Sequence, residues 1–479
     1  MLNNTHRTRE AVIRGMNWLL VCGLTVAIAT GVSGCGGASA TSSAPALPTA
    51  PAVAKFNTYV GTQGAQASPG IDTGDTIQGG LVTTTIDDSA SKFTLVNSTF
   101  GSVAEGLVGT LGGTFTASGA YLNLATTNPG ASQPPPVNTN PGYAIEIPGR
   151  ALLLRPGDYT VAPALLVPVS TSAIPVCQTI NSYTTFQFVT LPDVYNSIVP
   201  KPIFGATNGG PAYGVVTASA KNGVNYSFIN YNRFYFDGKS TSSAGLQAGL
   251  CAQTLAGTAV TIPPDVKNDV PATTIEIGPS GIFVMDETQQ KNPNATGAQN
   301  GPSASVGVAQ PSSPLSVTSI IAAQYAGFKF EPALEANNDP FNNSGCPLTE
   351  LVGFGATAGT GTSLVGGTLG AYPAYACTTY PIPGLVEDPT ATPLADTTIT
   401  LGAQSNNGLF QNGSVTEPDP NGVCAANGVG TVGVDAKGNT TCTFPAVVVA
   451  GNPDGKFVLF LVANDLVNSS PLGMYLFQQ

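Results

Sequence analysis

Punctuation constrains this chain most. From Lys55 onward, short strand-prone runs are broken again and again by Gly, Pro and Asn, and few stretches leave room for a helix. With 57 Gly and 39 Pro in 479 residues, these two types make up about a fifth of the chain. That is below the roughly 25–30% of a disordered low-complexity chain, and hydrophobic residues at 42% can build a core. Charged residues are only 9%, against roughly 25% in an ordinary soluble protein. Few Lys, Glu and Met beside much Thr, Val, Gly and Asn disfavour long surface helices and favour strands.

The runs themselves alternate. In Lys92–Asn97, Phe93 and Leu95 share one face, as do Phe186 and Phe188 in Thr184–Thr190. Ala212–Ala220 leads into Lys221-Asn222-Gly223 and resumes at Val224–Ile229, the best hairpin signal in the chain. A second shape recurs three times, an apolar run, a Gly/Pro turn and another apolar run. It occurs at Ile145–Leu154, at Ile275–Met285 and, more loosely, at Val447–Phe460. Continuous apolar strands around a turn imply hairpins buried on both faces, in a sandwich or barrel. Three scattered copies are too few for a propeller or solenoid.

The polar stretch 289–305 reads as a linker between an N-terminal β domain, 55–288, and a C-terminal β domain, 306–479. One helix is expected near 316–326, capped by Ser316, with Val317, Ile320, Ile321 and Tyr325 on one face and Gly327 as its stop. A last strand is expected at Met474–Phe477. The fold class is therefore all-β, with two sandwich or barrel-like domains.

The first 34 residues have the plan of an export signal: Arg7, Arg9 and Arg14, an apolar run from Trp18 to Val32, then small residues. The apolar run is shorter than the roughly 20 residues needed to span a bilayer. Val32-Ser33-Gly34-Cys35 resembles the lipobox of bacterial lipoproteins, with Val where Leu is usual. The resemblance implies cleavage before Cys35, acylation of that residue and membrane attachment through its lipid. The next residues to Ala54 carry no charge and are rich in Gly, Ala, Ser, Thr and Pro, so 35–54 reads as a lipidated flexible tether. Gly36 rather than Asp after the cysteine resembles lipoproteins sorted to an outer membrane.

Cleavage there removes His6 and Trp18, the chain's one His and one Trp, and takes the formal charge from −11 to −13. A histidine-free mature chain cannot use Ser-His-Asp or Cys-His catalysis or His-ligated metals. Its acidic balance also lacks the footprint of a nucleic-acid binder. No cofactor or metal is expected. Six cysteines remain beyond Cys22 and Cys35: Cys177, Cys251, Cys346, Cys377, Cys424 and Cys442. In an exported chain they read as disulfides. Fifteen connectivities are possible; sequential pairing is expected, Cys424–Cys442 most firmly because it brackets a turn-rich loop.

Three constellations could carry chemistry, and each has a plainer reading. Glu146 and Glu276 stand between Ile residues in two of the recurrent hairpins. A carboxylate pair in one cleft would suit a glycosidase, whereas a Glu on the wet face of each strand would mean nothing catalytic. Tyr226, Phe228, Tyr231, Arg233, Phe234, Tyr235 and Phe236 crowd one short segment and could bind a glycan or a protein, or simply fill a core. The alternation of Tyr226 and Phe228 suits a core; the consecutive rings Phe234, Tyr235 and Phe236 must occupy both faces. Acidic pairs at Asp87-Asp88, Asp286-Glu287 and Glu387-Asp388, and Asp435 with Asn439, could hold Ca²⁺ or shape ordinary turns.

The body of the chain is similar to Gly/Thr-rich β-type envelope lipoproteins. That resemblance implies a lipid-anchored cell-envelope protein without a catalytic signature, with a structural role or a role in binding a glycan or envelope protein. The alternative is a carboxylate-based glycoside hydrolase acting on envelope or extracellular polysaccharide.

Overall fold

The computed structural model describes residues 56–67, 77–97, 109–127, 142–155, 163–169, 185–191, 212–221, 225–236, 240–243, 248–254, 257–262, 273–278, 280–286, 304–331, 348–355, 361–371, 386–419, 424, 430–464 and 471–479. Within them the protein is all-β, and its strands close into three rings. The first barrel is an eight-stranded up-and-down ring: β1 (Phe56–Ala67), β2 (Ile77–Asp87), β3 (Lys92–Asn97), β4 (Gly109–Ser118), β5 (Tyr121–Thr127), β6 (Gly142–Ile147), β7 (Ala151–Arg155) and β8 (Ala164–Pro168). β8 pairs back onto β1, which leaves no open edge.

The second ring starts with β9 (Thr185–Leu191), β10 (Ala212–Lys221), β11 (Asn225–Tyr235) and β12 (Ser240–Ser243). It continues through β13 (Ala248–Thr254), β14 (Gly257–Ile262), β15 (Thr273–Ile277), β16 (Ile282–Asp286) and β17 (Ala304–Ala309). The pairing of β10 with β11 closes eight of these nine strands, and β12 is an extra strand on β11. The third is built from β18 (Tyr325–Glu331), β19 (Leu348–Gly355), β20 (Ser363–Thr368), β23 (Thr397–Thr400), β25 (Leu409–Pro418), β27 (Thr440–Gly451), β28 (Val458–Asn464) and β29 (Pro471–Gln478). β25 pairs with β27 to close it, with β24 (Ala403–Asn406) and β26 (Thr431–Val434) flanking, while the short β21 (Gly370–Ala371) and β22 (Val386–Glu387) pair apart.

The strands thus close into three rings, and β17 belongs to the second. β17 pairs with β9 and β16, so Ala304–Ala309 completes the second ring instead of opening a C-terminal domain at 306. That contact spans more than a hundred residues, which local patterning does not register. The helix is also shorter than expected: it runs Val317–Ile321, with Ser316 Oγ accepting from the Ser319 N–H at 3.2 Å. Tyr325 and Ala326 are taken by β18, whose ladder with β19 and β29 outweighs one more helical turn. Tyr325 still meets the helix, its phenol donating to the Ile320 carbonyl at 2.9 Å.

Each barrel interior sets a ring over a glycine on the neighbouring strand. Phe93 faces Gly113 in the first barrel, Phe188 faces Gly214 and Phe283 faces Gly307 in the second, and Phe354 faces Gly366 in the third. A Cβ on any of these glycines would come within 2.4–2.9 Å of the phenyl ring. Much of the glycine here is therefore space for aromatic packing inside strands.

The outer faces are apolar where the barrels meet. Leu152 and Leu154 of β7 point into the first barrel, while Ala151 and Leu153 join a second core shared by all three. That shared core includes Val284 and Val308 of the second barrel and Phe328, Val449 and Phe460 of the third. β7 is accordingly buried along its whole length, which explains the unbroken apolar run Ala151–Leu154. The three recurrent hairpins are β6–β7, β15–β16 and β27–β28, one per barrel, and their turns come together. Arg150 Nη1 lies 2.7 Å from Asp454 Oδ2, and Ser280 Oγ lies 3.4 Å from the Arg150 carbonyl.

Candidate binding cleft between the second and third barrels

Antiparallel pairing of β10 with β11 sets Tyr213 opposite Phe234 and Val215 opposite Asn232. Paired residues share a face, and this one looks outward. The residues between them turn inward: Gly214 leaves room for Phe188, and the Arg233 guanidinium lies over the Phe188 ring at 5.9 Å. The opposite wall is the β24–β25 hairpin of the third barrel, which contributes Ser405, Asn406, Leu409 and Gln411. The two walls enclose a cavity of about 470 Å³.

Among the described residues no lining residue is charged; the walls are rings, aliphatic groups, amides and a hydroxyl. Tyr213 and Phe234 stack at 5.4 Å with 27° between their planes, and Phe236 meets Tyr213 edge-on at 6.1 Å. Burial pushes the Tyr213 phenol up, so it stays neutral and available as a hydrogen-bonding group.

The hairpin wall is fixed before any ligand arrives. The Gly408 N–H donates to Gln404 Oε1 at 2.7 Å, and the Ala450 N–H donates to the Gly408 carbonyl at 2.7 Å. Gly408 takes φ +87°, a left-handed value that suits glycine at the turn. Gln404 also accepts from the Leu315 N–H and donates to the Leu315 carbonyl, while Asn407 Nδ2 donates to the Pro311 carbonyl at 3.0 Å. From the second barrel, Gln187 Nε2 donates to the Asn407 carbonyl at 2.8 Å. Gln187 is fully buried and pairs with Val215, so it stands beside the cleft wall, and its Oε1 has no hydrogen-bond partner among the described residues.

Of the aromatic segment expected from sequence, the structure brings Phe234 into the cleft and sets Phe236 against Tyr213. Arg233 and Tyr235 belong to the alternate face, and 233–236 are all half-buried. Tyr226, Phe228 and Tyr231 have their backbone in β11, and their side chains lie outside the described residues. Tyr213, Asn232 and the β24–β25 residues were not singled out in the sequence. They become a site only through pairing and closure, although Tyr213 and Val215 do alternate in the run before Asn222-Gly223.

Glu146 and Glu276 do not occupy matching places. Glu146 pairs with Leu152, an interior residue of the first barrel, and accepts from the Tyr59 phenol. Glu276 pairs with Val284 of the shared core, so it faces outward from the second barrel. The turns explain this. The Arg150 N–H closes on Ile147, the residue after Glu146, whereas the Gly281 N–H closes on Gly278, two residues after Glu276. One residue of offset exchanges the faces of a strand.

The acidic candidates for Ca²⁺ act as turn residues where they are described. Asp87 Oδ1 accepts from the Ser89 hydroxyl and from two backbone N–H groups, and Asp388 Oδ1 accepts from the Thr390 hydroxyl and N–H. Asp435 accepts from the Asn439 amide and from the N–H groups of Asn439 and Lys437. These bonds hold all three carboxyls below the usual range, side-chain donors Ser89, Thr390 and Asn439 first. The Asp286 and Glu287 side chains lie outside the described residues.

Cys424 and Cys442 form the expected disulfide. Cys35, Cys177, Cys346 and Cys377, and the side chain of Cys251, lie outside the described residues. A further group escaped the sequence reading: Lys329 Nζ lies 3.0 Å from Glu417 Oε1 and 3.1 Å from Glu350 Oε2, all three nearly buried. Its one signal is a Lys at the interior phase of the strand Phe328-Lys329-Phe330. A Lys held by two carboxylates is charge compensation in a barrel interior.

Neither a known protein family nor a curated relative matches the chain. Among solved structures, the intact Ap-TbpB (N and C lobes) aligns over 88% of this chain and 77% of its own at 10% identity and a TM-score of 0.21. A superposition that loose carries no argument about fold or function.

Proposed function

We propose that this chain is a lipid-anchored protein of the bacterial cell envelope, attached through Cys35 at the outer membrane, and that it binds rather than catalyses. The anchor is supported by Val32-Ser33-Gly34-Cys35 and the uncharged tether that follows. Among the described residues no helix is long and apolar enough to cross a membrane. The observation that carries the binding role is the cleft itself: a preformed space between two barrels, walled by rings and neutral amides. Its partner is a glycan or an envelope protein.

Replacing Cys35 with Ala should release the protein from membranes in detergent-free fractionation and abolish labelling by a radioactive fatty acid. Equal retention and labelling of the variant would overturn the anchor. The released protein tests the other half, since failure to bind any envelope glycan or protein would overturn the binding role and leave the anchor standing.

A further inference from the structure

We infer that the cleft takes an uncharged, hydroxyl-rich chain: a neutral oligosaccharide laid across Tyr213 and Phe234. This deepens the binding role proposed above and rests on it. Charge comes first. Among the described residues the cleft wall holds no Lys, Arg, Asp or Glu, in a protein with formal charge −11. An anionic polymer would find no counter-charge there and would be repelled by the protein as a whole. A cationic segment would find no carboxylate to pair with and would lose hydration without return.

The second argument is the alternation of ring and amide. Stacked Tyr213 and Phe234 offer a broad apolar platform, which suits the C–H face of a pyranose. Asn232, Asn406, Gln411 and Ser405 surround it with both donors and acceptors, as hydroxyl groups require because each both gives and takes a hydrogen bond. A purely apolar ligand would strand those amides, and a folded protein would need a wider, flatter surface than a cavity of about 470 Å³.

Gln187 braces that wall from behind. Its Nε2 donates to the Asn407 carbonyl, next to Asn406 in the cleft wall, so the amides that face a ligand are held in place before it arrives.

The test uses the full-length protein in detergent and titration calorimetry. The probes are neutral hexasaccharides of glucose, mannose, galactose, xylose and N-acetylglucosamine, with hexagalacturonate and hexalysine as charged controls. At least one neutral probe should bind, and neither control should. Phe234→Ala should weaken that binding about three- to tenfold, the scale for losing a stacking ring, and Phe234→Tyr should retain it. Asn406→Ala, at an exposed rim position that does not threaten folding, should weaken it several-fold.

Absence of binding by every neutral probe would overturn the ligand class. Binding of a charged control that is lost in Phe234→Ala would also overturn the class while keeping the cleft as a binding site. Neutral binding that neither Phe234→Ala nor Asn406→Ala weakens would place the ligand elsewhere and overturn the cleft.

Discussion

Between the first and third barrels, Tyr121, Tyr143 and Phe328 meet edge-to-face, each no more than 2% exposed. Between the second and third, Tyr213 and Phe234 stack beside open space and stay half-buried. Both places are contacts of barrel outer faces, and both are rich in rings, yet one is a core and the other a cleft. The difference lies in what flanks the rings. Around Tyr121 stand the rings of Tyr143 and Phe328 and backbone groups that bond its phenol, and the buried Arg155 guanidinium over Tyr143 donates to the Thr349 carbonyl. Around Tyr213 stand amides and a hydroxyl that a dry interface would have to desolvate. Aromatic content alone does not separate glue from binding surface; what matters is whether the polar groups beside the rings are buried and bonded within the protein, as Arg155 is to Thr349, or exposed, as Ser405 and Asn406 are.

That contrast makes the first pair of outcomes unequal. Phe328→Ala removes a fully buried ring from the shared core and should cost about 3–5 kcal/mol in denaturant unfolding. Phe234→Ala in the cleft loses a half-buried ring and its stack on Tyr213 and should cost about 1–2 kcal/mol, less than Phe328→Ala, while its larger effect appears in binding. Similar stability losses at the two sites would mean that the cleft is merely an unfinished part of the core.

Tyr121→Phe tests the same contrast with one atom. The phenol oxygen lies 2.8 Å from the Gly327 carbonyl and 2.9 Å from that of Val352, and it accepts from the Gly327 N–H at 3.2 Å. Removing it leaves buried backbone groups short of a partner and should cost about 1–3 kcal/mol with the ring still in place. A neutral result would show that the rings alone hold the first barrel to the third.

Local features of this fold were legible in the sequence because they depend on neighbours along the chain. Phe93 and Leu95 do share a barrel interior, Lys221-Asn222-Gly223 does join two paired strands, and Cys424 does bond Cys442. The both-faces burial of the recurrent hairpins was also legible, though its reason is a barrel core on one side and a shared core on the other. What escaped depends on closure. Nothing near Ala304–Ala309 announces that it pairs with β9. Likewise the space that Gly214 and Gly307 leave for Phe188 and Phe283 is not legible locally, since each ring lies on another strand. The cleft was half legible: Phe234 stood out as part of an aromatic cluster, while the amides that give it character came from a hairpin far along the chain.

The smallest effect concerns the rim of the junction, where the three hairpin turns converge. Arg150 sits in the β6–β7 turn and Asp454 in the turn between β27 and β28, and their side chains are 13% and 32% exposed. Partial exposure lets water and salt compete, so the pair should be worth about 0.5–1 kcal/mol in a double-mutant cycle of Arg150→Ala and Asp454→Ala. The coupling should shrink as ionic strength rises, because screening reaches a pair at a rim and not the rings behind it. Were it zero at low salt, the turns would meet only because Leu153, Phe328 and Phe460 bring them there, and the junction would be held by apolar burial alone. A coupling well above about 1 kcal/mol, unmoved by salt, would instead show the pair shielded from water, and the dry region would then extend out to the turns.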